Sequence, residues 1–188
     1  MVEKDGGTVL YEKYLKGDHT ALAELVEGYG ASLVLFINRY VNNLSVAEEL
    51  MEDTFCDIVI KRMHFKGKSS FKTFLFAIAK NKASMYIRRL SRYGSVPLED
   101  AEGELARLGS IEDEVIKDSD KKELWRAMDS LSEDHKAVLQ LIYFEDLSYD
   151  EAARVMKCSH SRIRNLAYRA RLALKEELER GGFVYEGI

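Results

Sequence analysis

A single proline, Pro97, occurs in 188 residues, where the usual share of about 5% would supply several. Proline ends helices, and its scarcity combines here with long stretches that lack the period-two alternation of strands. Helix is therefore the expected state of most of the chain. Pro97 lies in Tyr93 to Ser110, YGSVPLEDAEGELARLGS, which also holds three glycines and little apolar periodicity. That segment reads as a linker, with helix resuming near Asp118. The expected fold is all-α: two small helical domains, 1–92 and 118–188, joined by an acidic flexible linker over 93–117.

Charge is partitioned along the same lines. The chain is net −4, yet residues 1–60 carry −7, 61–92 carry +10, 93–153 carry −11 and 154–188 carry +4. Residues 61–92 hold ten Lys/Arg and no acid, and Arg154 to Lys175 hold seven and no acid. Two cationic surfaces on an acidic chain point to a polyanion, with Lys and Arg displacing counterions from phosphates. Phe65, Phe71, Phe74, Phe76 and Tyr86 are interleaved with the first basic block. An unstacked base can lie on such a ring for roughly 1–3 kcal/mol, although Phe71, Phe74, Leu75 and Ile78 also form an i, i+3, i+4, i+7 core face. The linker and its flank, Val96 to Asp120, carry nine acids against two bases, and by composition alone read as a solvated tether.

The last third, Leu147 to Lys175, reads as two short helices and a tight turn. Ser148 and Glu151 have capping-box spacing, followed by the apolar Ala152, Val155 and Met156. Ser159 is a second cap, and Ile163, Ala167, Ala170, Leu174 and Leu178 make one buried face. Exposed Arg and Asn on the first turns of the second helix match the recognition element of a helix-turn-helix. A basic amphipathic surface helix is the plainer reading of this segment taken alone.

The N-terminal part parses into helices too. Val9 to Lys16 ends at Gly17. Asp18 caps a long segment with Leu22, Leu25, Val26, Tyr29, Leu33, Phe36 and Tyr40 on one face, and Asn42 and Asn43 break it. Ser45 and Glu48 suggest another capping box. The next helix is expected to bury Leu50, Phe55, Ile58 and Val59, with Glu48, Glu49, Glu52 and Asp53 on its other side. Those carboxylates have no His, Asn or glycine-rich loop to complete a catalytic site, and the helix dipole favours acids in a first turn. A docking face for a basic partner fits them better than metal or acid–base chemistry.

Cys56 and Cys158 lack metal-ligand spacing and are expected to be reduced, buried thiols of a cytoplasmic chain without signal peptide or transmembrane run. His19, His64, His135 and His160 form no ligand cluster, so no metal or other cofactor is expected. Trp125, with Leu124 and Met128, is expected in the core of the second domain.

AEELMEDTF (Ala47 to Phe55), FKGKSSFKTFLFAIAKNKASMYIRR (Phe65 to Arg89), the acidic linker, LSEDHKAVLQLIYFEDLSYDEAARVMKCS and RIRNLAYRAR occur in this order. Together they closely resemble the extracytoplasmic-function (ECF) group of bacterial RNA polymerase sigma factors, from about Tyr11 to Leu178. The resemblance implies a sigma region two helical bundle, then a region four helix-turn-helix. It implies a factor that binds core RNA polymerase and promoter DNA and directs transcription initiation without being an enzyme. Glu49, Glu52 and Asp53 would face the polymerase. Lys66, Gly67, Lys68, Ser69 and Ser70 would form the pocket for a flipped base of the minus-ten element, with Phe74 and Asn81 nearby, while Lys80, Lys82 and Arg88 hold phosphates. Arg162, Arg164, Asn165, Tyr168 and Arg169 would meet the minus-thirty-five duplex. The linker would thread the polymerase channel, and an anti-sigma factor would be a partner; no direct membrane insertion is implied.

The chain departs from the family at four places. Phe74 replaces the usual Trp, Glu52 the frequent Gln, Arg162 the usual Thr, and Leu166 the usual Arg or Lys. Base preferences of the recognition helix therefore cannot be copied from relatives. Two other classes compete with the sigma reading: a free-standing helix-turn-helix regulator of duplex DNA, and a metal-dependent nuclease, which lacks an assembled carboxylate or His site.

Overall fold

The computed structural model describes residues 5–60, 65, 67–93 and 119–181. The chain divides into two compact units, and the described residues are helical with no strand. The segment expected as the linker lies outside the described residues from position 94 on.

Among the described residues, four helices build the first unit: α1 (Gly6–Leu15), α2 (Thr20–Val41), α3 (Leu44–Ile60) and α4 (Phe71–Tyr93). Asp5 starts α1 by accepting a hydrogen bond from the Thr8 N–H at 2.7 Å. Gly17, at φ +102°, supplies the left-handed turn that follows it. The Asp18 carboxylate then accepts from both the hydroxyl and the N–H of Thr20, at 2.6 and 3.1 Å. Those bonds, the hydroxyl first, hold its carboxyl below the usual range.

Helix α2 is the centre of this unit. Every residue from Leu33 to Tyr40 is buried, with α1, α3 and α4 packed around it. Full burial of each large aliphatic or aromatic side chain there contributes about 1.5–3 kcal/mol. This corrects the single-face reading: Leu25, Leu33, Phe36 and Tyr40 are buried as expected, whereas Val26 is exposed. By length and composition alone α2 could also cross a membrane, with a mean hydropathy of 1.4. Its apolar second half, Leu33 to Tyr40, is buried in a bundle core with three packed neighbours, which accounts for that composition, while Glu24 and Glu27 of its first half are exposed.

Asn42, at φ 48°, closes α2 in the left-handed region. The Asn43 side chain caps α3 by accepting from the Val46 N–H at 2.8 Å, so the cap of α3 lies two residues before the expected Ser45. Phe55 and Ile58 of α3 are buried; Leu50 and Val59 are only half-buried.

The second unit comprises α5 (Ser119–Asp129), α6 (Glu133–Leu139), a π-helical turn (Gln140–Phe144), α7 (Tyr149–Met156) and α8 (His160–Arg180). Helix α8 packs against α5, α6 and α7. Trp125 and Met128 are in its core as expected, Leu124 is half-buried, and the Trp125 ring lies 4.7 Å from that of Phe144. The Ser148–Glu151 capping box is present. Ser159 caps α8 through the Arg162 N–H at 3.3 Å. Ile163, Ala167 and Ala170 are buried, and Leu174 and Leu178 half-buried. Between α7 and α8 the chain turns at Lys157, with φ 52°.

Candidate nucleic-acid interface

Helix α3 turns an acidic face outward. Glu49, Glu52 and Asp53 are exposed, and at three- and four-residue spacing the same face continues through Cys56 and Ile60, both exposed. Cys56 is thus not the buried thiol expected from its apolar neighbours, and Cys158 is half-buried. The difference arises because Cys56 lies between Phe55 and Ile58 in sequence but on the opposite side of the helix from them.

Phe74, Asn81 and Arg88 follow one another at seven-residue intervals on α4 and so share one face. Arg88 is exposed, Phe74 and Asn81 half-buried. Met85, 62% exposed, falls between Asn81 and Arg88 on that row. Its position four residues after Asn81 and three before Arg88 would have placed it there from sequence. Lys80 is half-buried and off this row. Lys82 turns to α3, its ammonium 3.1 Å from Asp57 and 3.6 Å from Asp53. The structure thereby joins a residue expected on phosphates to one expected on the polymerase.

The loop before α4 is anchored by Phe65, whose ring packs 5.4 to 6.0 Å from those of Phe74, Phe71 and Tyr11. Gly67 takes φ +64°, the conformation glycine adopts most easily. Gly67 and Lys68 are exposed and Ser69 half-exposed. Ser70 caps α4, its hydroxyl accepting from the Thr73 N–H at 3.2 Å and lying 2.7 Å from the Thr73 hydroxyl. Lys66 lies outside the described residues.

In the second unit the candidates on α8 divide. Arg164, Asn165 and Tyr168 line a cleft of about 570 Å³ together with Ser161, Arg171 and Tyr149 of α7. Arg162 and Arg169 are exposed but do not line it, and Leu166 is half-buried. Ser161, Arg171 and Tyr149 were absent from the sequence expectation. Arg171 Nη1 donates to the Tyr143 hydroxyl at 3.1 Å, a contact across 28 residues. That bond further favours the charged guanidinium.

Among the described residues no three His, Cys, Asp or Glu side chains gather as a metal site. His160 instead stands 3.8 Å from Asp150. The arrangement offers an acidic face and a basic–aromatic row in one unit, and a cationic cleft on a helix-turn-helix in the other.

The family model for Sigma-70 region 2 matches residues 25–93, and that for Sigma-70 region 4 matches residues 121–174. The RNA polymerase sigma-H factor of Pseudomonas aeruginosa is 29% identical over 187 residues, covering 95% of this chain and 97% of that protein. The ECF RNA polymerase sigma-E factor of Escherichia coli K12 is 28% identical with the same coverage. Among solved structures, the sigma factor RpoE of Bartonella quintana, in complex with the anti-sigma factor NepR, aligns with a TM-score of 0.63 at 23% identity. It covers 84% of this chain and 96% of that one. CnrH, in complex with the cytosolic domain of CnrY, also gives 0.63 at 23% identity, over 94% and 99%. Both structures share the fold. Since the two sigma regions fall on the two units just described, and full-length relatives run along nearly all of the sequence, this chain belongs to the ECF sigma factors, which direct bacterial RNA polymerase to promoters.

Proposed function

We propose that the two units divide promoter recognition between them. The α3 face, with Glu49, Glu52 and Asp53, docks on a basic surface of core RNA polymerase. The row Phe74, Asn81 and Arg88, with the loop Lys66 to Ser70, receives the opened minus-ten strand. Gly67 and Ser69 leave room for an extruded base and offer polar groups to its edge, while Ser70 holds the loop to α4. Lys80 and Arg88 hold phosphates. Lys82 is shared between the strand and its pair with Asp57 and Asp53.

In the second unit, Arg164 and Asn165 meet base edges of the minus-thirty-five duplex from the cleft face of α8. Arg offers a bidentate match to guanine and Asn to adenine, each worth roughly 1–3 kcal/mol of discrimination. Tyr168 covers adjoining apolar surface, and Arg162 and Arg169 lie on the flank toward the backbone. The chain acts without bond chemistry, in the cytoplasm. The acidic linker occupies the polymerase channel, and an anti-sigma factor is a partner of the chain, as NepR is of RpoE in the solved complex.

One observation carries this reading: the cleft on α8 groups three of the five residues expected on the duplex and opens to solvent. Arg164→Ala tests it. In holoenzyme binding to promoter variants, the substitution should relax specificity at one position of the minus-thirty-five element by roughly 1–3 kcal/mol and leave minus-ten preferences unchanged. Equal weakening at every position would contradict it. A free-standing duplex regulator has no role for the region 2 match over residues 25–93, and that reading is not favoured.

A further inference from the structure

We propose that Arg171, held in place by Tyr143, binds a backbone phosphate of duplex DNA on the flank of the bases that Arg164 and Asn165 meet. The inference rests on the duplex-reading role of the second unit and adds a binding residue and a positioning residue to it.

Three observations converge. Arg171 follows Arg164 by seven residues, close to two turns, so both lie on one face of α8 about 10 Å apart along its axis. The major groove is about 12 Å wide. A helix that places Arg164 on base edges therefore brings Arg171 to the rim, where the sugar–phosphate strand runs. Second, Arg171 is exposed and makes no ion pair among the described residues, and the segment from Arg154 to Lys175 holds no carboxylate. The cleft it shares with Arg164 is thus built for an anion. Third, Arg171 is held at that rim by a bond from Nη1 to the Tyr143 hydroxyl. A guanidinium has five N–H donors; one is engaged, and the rest remain for phosphate oxygens. Tyr143 is itself 49% exposed, and its hydroxyl, having accepted from Arg171, keeps its own proton for the same phosphate.

Tyr143 can stand there because of the π-helical turn over Gln140–Phe144. Single π turns inside helices recur at functional sites. This one turns Tyr143 outward while Leu141 is buried and Phe144 packs on Trp125.

The test is duplex binding by the full-length chain, titrated between 50 and 200 mM salt. One probe is a mixed-sequence duplex; the other is a promoter fragment recovered by transcription with core polymerase. Loss of one phosphate contact lowers the salt slope by about 0.9, so over this fourfold salt range affinity should fall about 3.5-fold less for Arg171→Gln than for the parent. That change should be the same on both probes, because phosphate contacts carry no sequence information. Arg171→Lys should keep the slope. Tyr143→Phe should keep the slope and weaken binding by about threefold, the effect of one hydrogen bond. Arg180→Gln is the control: its guanidinium is already paired with Glu177 at 2.8 Å, and its slope should match the parent. A purely structural Tyr143–Arg171 contact would lower the melting temperature of Arg171→Gln with the slope unchanged, and that result would overturn the proposal. So would weakening confined to the promoter probe. Failure of the parent chain to bind core polymerase is a separate assay and would count against the sigma role, leaving the slopes to decide the phosphate contact.

Discussion

Lys82 shows how a residue's neighbours in space redirect a role inferred from its neighbours in sequence. It lies in a block of ten cations without an acid, which groups it with Lys80 and Arg88. Packing of α3 on α4 brings Asp57 to 3.1 Å, with both side chains about four-fifths covered. Lys82→Met should therefore cost about 1 kcal/mol, between the values for exposed and buried pairs, read as a lower urea midpoint. Lys80→Met should stay within about 0.5 kcal/mol. Equal, near-zero effects of both would show that the pair does not hold the helices. Gly7 is the other telling residue: a Cβ there would lie 2.6 Å from the Tyr29 hydroxyl and 3.0 Å from a Phe71 ring carbon. Gly7→Ala should destabilise the first unit by about 1–3 kcal/mol through overpacking, again visible in the urea midpoint. Neither constraint is legible in the sequence, because periodicity reports which residues share a face but not what that face meets. Cys56 misleads for the complementary reason: its sequence neighbours are apolar, but its helix face is not.

Among elements, local chemistry is the most readable. The Ser148 and Ser159 caps and the buried stripe of α8 follow from spacing alone. The cap of α3 does not, because Asn43, which reads only as a helix breaker, also supplies the capping oxygen. The π turn over Gln140–Phe144 has no spacing signal and leaves Tyr143 and its bond to Arg171 invisible in the sequence. The helix-turn-helix offers paired predictions of opposite sign. Ser148→Ala removes the capping box and should cost about 1 kcal/mol. Lys157→Gly relieves a left-handed conformation that costs a non-glycine residue roughly 1–2 kcal/mol, less the entropy cost of glycine. It should raise the melting temperature of the second unit by several degrees, about 4–8 °C per kcal/mol for a unit of this size. A fall in melting temperature for Lys157→Gly would mean that the lysine side chain contributes packing beyond its backbone conformation.

For the whole molecule, the overall charge of −4 hides two cationic segments, and their separation along the chain is what points to two polyanion-binding units from the sequence. The split of the α8 candidates between cleft and flank requires the fold, since α7 forms one wall of the cleft. On the proposed division of labour, the unstacking cost of duplex opening is offset together with the polymerase and not by the free chain. Free protein should accordingly bind promoters weakly and lose affinity steeply with salt; tight, sequence-specific binding at physiological salt would contradict the division of labour with the polymerase. The most direct test is run-off transcription with purified core RNA polymerase over a pool of bacterial promoter fragments, with and without this chain. Discrete new transcripts that depend on the chain are the predicted result. A chain that neither binds core polymerase nor yields such transcripts would contradict the account.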